Sequence, residues 1–116
     1  MSKYLVNAFS INMFLFAVPT QVKFFPLTLE EAREYARANS LTPAVGHADT
    51  ARVVDGLLGL TPTGDMPASF GRINVSLVQG DELLVAQYTG PRLPEGATTL
   101  PEGATISFWL ATVTDA

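Results

Sequence analysis

The chain has 116 residues, 47% of them hydrophobic and 16% charged, which suits one domain with a real core and excludes a disordered chain. A net charge of −4 excludes general affinity for long DNA or RNA, which needs many Lys and Arg contacts to phosphates, but not a small nucleotide held by a few local cations. The absence of cysteine excludes disulfides, thiolate zinc sites and thiol catalysis. With so few charges to solvate its surface, the chain is expected to cover part of it with a second subunit.

The opening "KYLVNAF" is rich in β-formers on both faces and predicts an interior strand. The apolar run "YLVNAFSINMFLFAVP" is shorter than the roughly 20 residues that span a bilayer. Asn7, Ser10 and Asn12 interrupt it, so neither a membrane span nor a signal peptide is expected, and the expected compartment is the cytoplasm. "QVKFF" alternates as a second strand and is expected to stop at Pro26. Thr28 and Glu31 in "TLEE" make a capping box for a helix through "EEAREYARANS", with Leu29, Ala32, Tyr35 and Ala36 on one face.

A second helix is predicted after Gly46-His47, where Ala51, Val54, Leu57 and Leu58 follow helical spacing and Gly59 ends it. "TPTGDMP" reads as a loop. "RINVSLV" and "ELLVAQY" read as two strands joined by a hairpin turn at "QGDE". A long Gly/Pro-rich connection, "TGPRLPEGATTLPEGA", precedes a last strand, "TISFWLATVT". The order β-β-α-α-β-β-β predicts a single α+β domain, a mixed sheet of about five strands with helices packed on it.

Reactive groups collect where strands or helices end. Asn7, Ser10 and Asn12 follow the first strand, Gly46-His47 opens the second helix, and Gln87 to Glu95 leaves a strand through a flexible loop. Each also has an ordinary structural explanation. His47 alone suits a surface or packing role, Ser10 and Asn12 suit turn hydrogen bonds, Arg92 and Glu95 suit a solvated loop, and Tyr88 and Trp109 suit a core or interface. The chain has no Walker loop, Rossmann fingerprint, HExxH or nucleophile elbow. With one histidine and no carboxylate cluster, neither a metal site nor a cofactor is expected.

The loop also says one thing twice. LPEGAT occupies Leu93 to Thr98 and again Leu100 to Thr105, offering Glu95 and Glu102 as rival acidic groups. A seven-residue offset is too short for a solenoid repeat, so only the flanks distinguish the copies.

Taken together, "LVNAFSINM", "VGHADTARVVDGLLG" and "ELLVAQYTGPRLPEG" resemble the viral ring nucleases, the type III anti-CRISPR family, over nearly the whole chain. The resemblance implies a homodimer that binds cyclic tetra-adenylate and cuts it without metal into linear di-adenylates. It implies catalytic roles for His47, Arg92 and Glu95, and ligand contacts from Ser10 and Gln87, beside which Asn7, Asn12 and Gly46 are candidate contacts. The first LPEGAT, which directly follows Arg92, is then the active copy. The stretch "FLFAVPTQVKFFPL" is more apolar than the family pattern, and the loop after Glu95 is shorter.

The residue types suit that chemistry. RNA carries its own nucleophile, the 2′-OH, which needs only alignment with phosphorus and the departing 5′-oxygen. A histidine suits protonation of that oxygen, and an arginine suits the charge building on the phosphoryl oxygens. Glu95 orients the 2′-OH or takes its proton; the sequence is compatible with both. Two other classes stand beside this expectation: a sponge that binds a cyclic nucleotide without cutting it, and a structural or regulatory protein of the same fold. A sponge needs no proton donor, so His47, Arg92 and Glu95 together favour the enzyme.

Overall fold

Side chains alternate across the strands of one sheet, and that alternation creates two separate cores. The computed structural model of the chain describes residues 1–14, 18–62 and 64–115. Its elements are β1 (Lys3–Val6), a 3-10 turn (Ile11–Met13), β2 (Thr20–Leu27), α1 (Leu29–Ala38), β3 (Thr42–Ala44), α2 (Ala48–Leu58), β4 (Glu82–Thr89) and β5 (Thr105–Asp115). The five strands form one mixed sheet in the order β2-β5-β4-β1-β3. β1 runs parallel to β3 and β4, while β5 pairs antiparallel with β4 and β2. This is the expected α+β architecture.

On one face Leu5, Leu84, Ala86 and Phe108 pack against Ala32 of α1 and Ala51, Val54 and Leu58 of α2. On the other face Val6, Leu83, Val85, Ala111 and Val113 are covered by Phe9, Met13, Phe14, Val75 and Leu77, which come from irregular chain. Both helices begin and end largely where the sequence places them. Thr28 and Glu31 form the capping box, their bonds 2.9 and 3.1 Å long, and Gly59 is the C-cap of α2.

Three expectations are corrected. "RINVSLV" is not a strand; it crosses the open face as irregular chain, packing Val75 and Leu77 on the sheet, with one isolated bridge from Leu77 to Phe14. The expected hairpin therefore does not form, because β1 and β5 already occupy both edges of β4. A strand unforeseen in the sequence, Thr42–Ala44, instead pairs with β1. Finally β2 runs through Pro26 to Leu27, since it is an edge strand where a missing N–H need not break a ladder. Of the expected loop 61–67, Thr63 lies outside the described residues, as do residues 15–17 of the apolar stretch. Among the described residues no helix is long and apolar enough to cross a membrane.

Candidate functional site

Parallel pairing of β4, β1 and β3 sends three chain ends to one edge of the sheet. Asn7 follows β1, Gly46-His47 follows β3, and Gln87 and Tyr88 close β4. The carboxyl ends of parallel strands are the usual place for ligands in such sheets.

His47 is held there by a relay of backbone bonds. Within α2, buried Asp55 accepts from the N–H groups of Ala68 at 2.6 Å and Ser69 at 2.9 Å. The carbonyl of Ser69 in turn accepts from Val45 N–H, and Gly71 N–H donates to the Val45 carbonyl, both at 3.0 Å. The two residues after Val45 thus enter α2 on a fixed path, with His47 as N-cap. Its side chain makes no capping bond and is exposed, so the first N–H groups of α2 have no side-chain acceptor from the cap.

The Arg92–Glu95 loop is shaped by the repeated motif. In the first copy the Pro94 carbonyl accepts from Ala97 N–H at 3.1 Å, with Gly96 at φ 77°. In the second, the Pro101 carbonyl accepts from Ala104 N–H at 3.1 Å, with Gly103 at φ 82°. A positive φ at the third turn position is the type II signature that demands glycine. The sequence repeat is thus a turn repeat, and tertiary contacts alone separate the copies. Where the loop leaves and rejoins the sheet, Gly90 (φ 131°) meets Gly103-Ala104 so closely that a Cβ would lie 2.6 Å from the Ala104 Cα.

His47, Arg92 and Glu95 line one open cleft of about 770 Å³, together with Asp49, Thr50 and Tyr88. The hydroxyl of Tyr88 donates to the Pro91 carbonyl. Asp49, in the first turn of α2, pairs with Arg52 at 2.7 Å and accepts from Gly96 N–H at 3.2 Å. Neither Asp49 nor the cleft-facing position of Tyr88 was anticipated. Asp49 had a local signal, an acidic residue two places after Gly46-His47, but its partner lies 47 residues away.

The remaining expected contacts lie elsewhere. Gln87 points to the opposite face of the sheet from Tyr88, as alternation requires, and shares a cleft of about 550 Å³ with Asn7, Phe9, Phe24 and Trp109. Asn7 also borders a third cleft of about 450 Å³ with Asn12 and Asn74. The Ser10 hydroxyl caps the 3-10 turn, accepting from Asn12 N–H at 3.2 Å. The Gly46 carbonyl accepts from Arg72 Nε at 3.3 Å, and Gly46 does not line the His47 cleft. Among the described residues no three His, Asp or Glu side chains gather where they could hold a metal.

The chain resembles a solved structure over nearly its whole length. B116 of Sulfolobus turreted icosahedral virus superposes with a TM-score of 0.77 at 27% sequence identity, over 97% of this chain and 99% of that one. No curated protein matches. The family model described as STIV B116-like matches residues 3–109, and the chain therefore belongs to the STIV B116-like family.

Proposed function

We propose that the chain is a viral, metal-independent ring nuclease that cleaves cyclic tetra-adenylate to linear di-adenylates and so counteracts type III CRISPR defence. The observation that carries this reading is the single cleft shared by His47, Arg92 and Glu95 at the uncapped start of α2. A helix N-terminus with free N–H groups favours a phosphate, and Arg92 adds a local positive charge that the overall −4 hides.

In the proposed reaction the 2′-oxygen of one adenosine attacks the adjacent phosphorus and forms a 2′,3′-cyclic phosphate. Glu95 accepts the hydrogen bond of that hydroxyl and takes its proton as the new bond to phosphorus forms. The bond from phosphorus to the 5′-oxygen breaks, and a protonated His47 supplies the proton that oxygen needs. Arg92 stabilises the charge on the phosphoryl oxygens as it builds. Cutting two linkages of the ring gives two di-adenylates.

The test is incubation of the purified protein with labelled cyclic tetra-adenylate in EDTA. Di-adenylates ending in 2′,3′-cyclic phosphate, at a rate EDTA leaves unchanged, are expected. A strict metal requirement, or plain 5′-phosphate ends, would refute the mechanism. A ring bound intact would make the protein a sponge, and no binding would leave the structural or regulatory role.

A further inference from the structure

The segment from Tyr88 to Gly96 is fastened at both ends. At its start the Tyr88 hydroxyl donates to the Pro91 carbonyl. At its end the Gly96 N–H donates to Asp49 Oδ1 at 3.2 Å. That same oxygen takes a bond from Arg52 Nη1 at 2.7 Å, which fixes the carboxylate and offsets its charge beside the cleft. Arg92 and Glu95 lie between the two fastenings.

The repeat supplies an internal comparison. Gly103 occupies the same turn position as Gly96, yet among the described residues no side chain accepts from its N–H. The tie to Asp49 therefore belongs to the LPEGAT copy that carries Glu95 and not to its twin.

We propose that Asp49 is a positioning residue: it latches the Glu95 turn onto the first turn of α2, two residues from His47. The proton donor and the carboxylate are then held by one short piece of helix, though they stand far apart in sequence. The latch deepens the ring-nuclease reading and rests on it for its catalytic consequence. An acidic residue in a first turn also stabilises its helix through the dipole, so loss of stability alone does not reveal a latch.

The experiment joins amide hydrogen exchange on the ligand-free chain with single-turnover cleavage of cyclic tetra-adenylate. Asp49→Ala is expected to speed exchange at Gly96 about tenfold relative to Gly103, the ratio one ordinary hydrogen bond provides. Asp49→Asn, which keeps the accepting oxygen, is expected to restore most of that protection. Arg52→Ala, which leaves the carboxylate in place but less fixed, should fall between them and serves if Asp49→Ala does not fold. Cleavage should follow the same order, with kcat falling more than KM changes. Unchanged exchange at Gly96 in both Asp49→Ala and Arg52→Ala would overturn the latch, as would equal losses in Asp49→Ala and Asp49→Asn. If the wild-type chain cleaves nothing, the ring-nuclease reading falls, while exchange at Gly96 still decides the latch.

Discussion

The indole N–H of Trp109 donates to the side-chain carbonyl of Gln87 at 3.2 Å, on the face of the sheet opposite the helices. One residue further along β4, Tyr88 faces the His47 cleft. The residues expected to act on one ligand are thus divided by the sheet. His47, Arg92 and Glu95 stand on the helical side, and Gln87 and Asn7 stand on the other. A ligand that meets both sets must reach around the carboxyl ends of the strands, or meet them on two copies of the chain.

Gln87 lies across the sheet from the His47 cleft, so in the proposed reaction its contribution should be to binding alone. Gln87→Ala is expected to raise KM for cyclic tetra-adenylate while leaving kcat within about twofold, the signature of uniform binding. Trp109, which holds the amide, should give a similar result when replaced by Phe. Steady-state kinetics decide this, and a large fall in kcat would place Gln87 in the chemistry.

Glu95 and Glu102 sit in turns of matching geometry, yet only Glu95 borders the cleft. Glu95→Ala should slow single-turnover cleavage by about 10²- to 10⁴-fold, the range of general acid–base contributions, and Glu102→Ala by less than about twofold. Equal losses at unchanged folding would show that the copies are not distinguished in this way.

Gly90 should be the costly glycine of the loop. Its φ of 131° strains any other residue, and a Cβ would also lie 2.8 Å from the Gly103 carbonyl oxygen. Gly90→Ala is expected to lose at least about 1–3 kcal/mol of stability. Gly96→Ala, with nothing within 4 Å of its Cβ, should lose only the backbone strain of a positive φ. Urea denaturation of the two variants gives the comparison.

Local chemistry was legible in the sequence, and tertiary pairing was not. The capping box at Thr28 and Glu31 and the stop at Gly59 are set within a few residues, and both form as read. "RINVSLV" has the β-branched alternation of a strand, but a strand also needs a free edge, and β4 has none. Thr42–Ala44 contains a proline and only three residues, so pairing with β1 creates it rather than its own propensity. His47, Arg92 and Glu95 were named from a resemblance, and the fold brings all three to one cleft. Asp49 escaped because its meaning lies in Gly96, across a contact that no local pattern encodes.

Tyr35 offers a test of the packing between α1 and β4. Its hydroxyl donates to Glu82 Oε1 at 2.6 Å, and its ionisation is shifted well above the ordinary phenol range, chiefly by burial and then by that bond and the Glu82 charge. Ionisation is therefore harder in the folded chain than in the unfolded one. The stability this provides is complete below about pH 10 and is lost as pH rises from there toward the folded-state value. Melting temperatures between about pH 9 and 11 should fall more steeply for the wild type than for Tyr35→Phe. Parallel curves would show that the tyrosine does not carry the effect.

The last prediction concerns the working unit, which we expect to be a symmetric dimer with the ring on its two-fold axis. A cyclic tetranucleotide presents two equivalent halves, and an isologous pair of chains meets both with the same residues. The face of the sheet away from the helices leaves Phe24, Ile73 and Val78 exposed at 45%, 48% and 51%, a spread of apolar surface in a chain with few charges. A second copy there would cover that surface. His47→Ala should then bind one ring per two chains while losing turnover, because a proton donor acts chiefly in the transition state. Sedimentation of the variant gives the mass, and calorimetry gives the stoichiometry. A monomer that binds one ring per chain would refute the dimer, and loss of binding would make His47 a ligand contact instead of an acid.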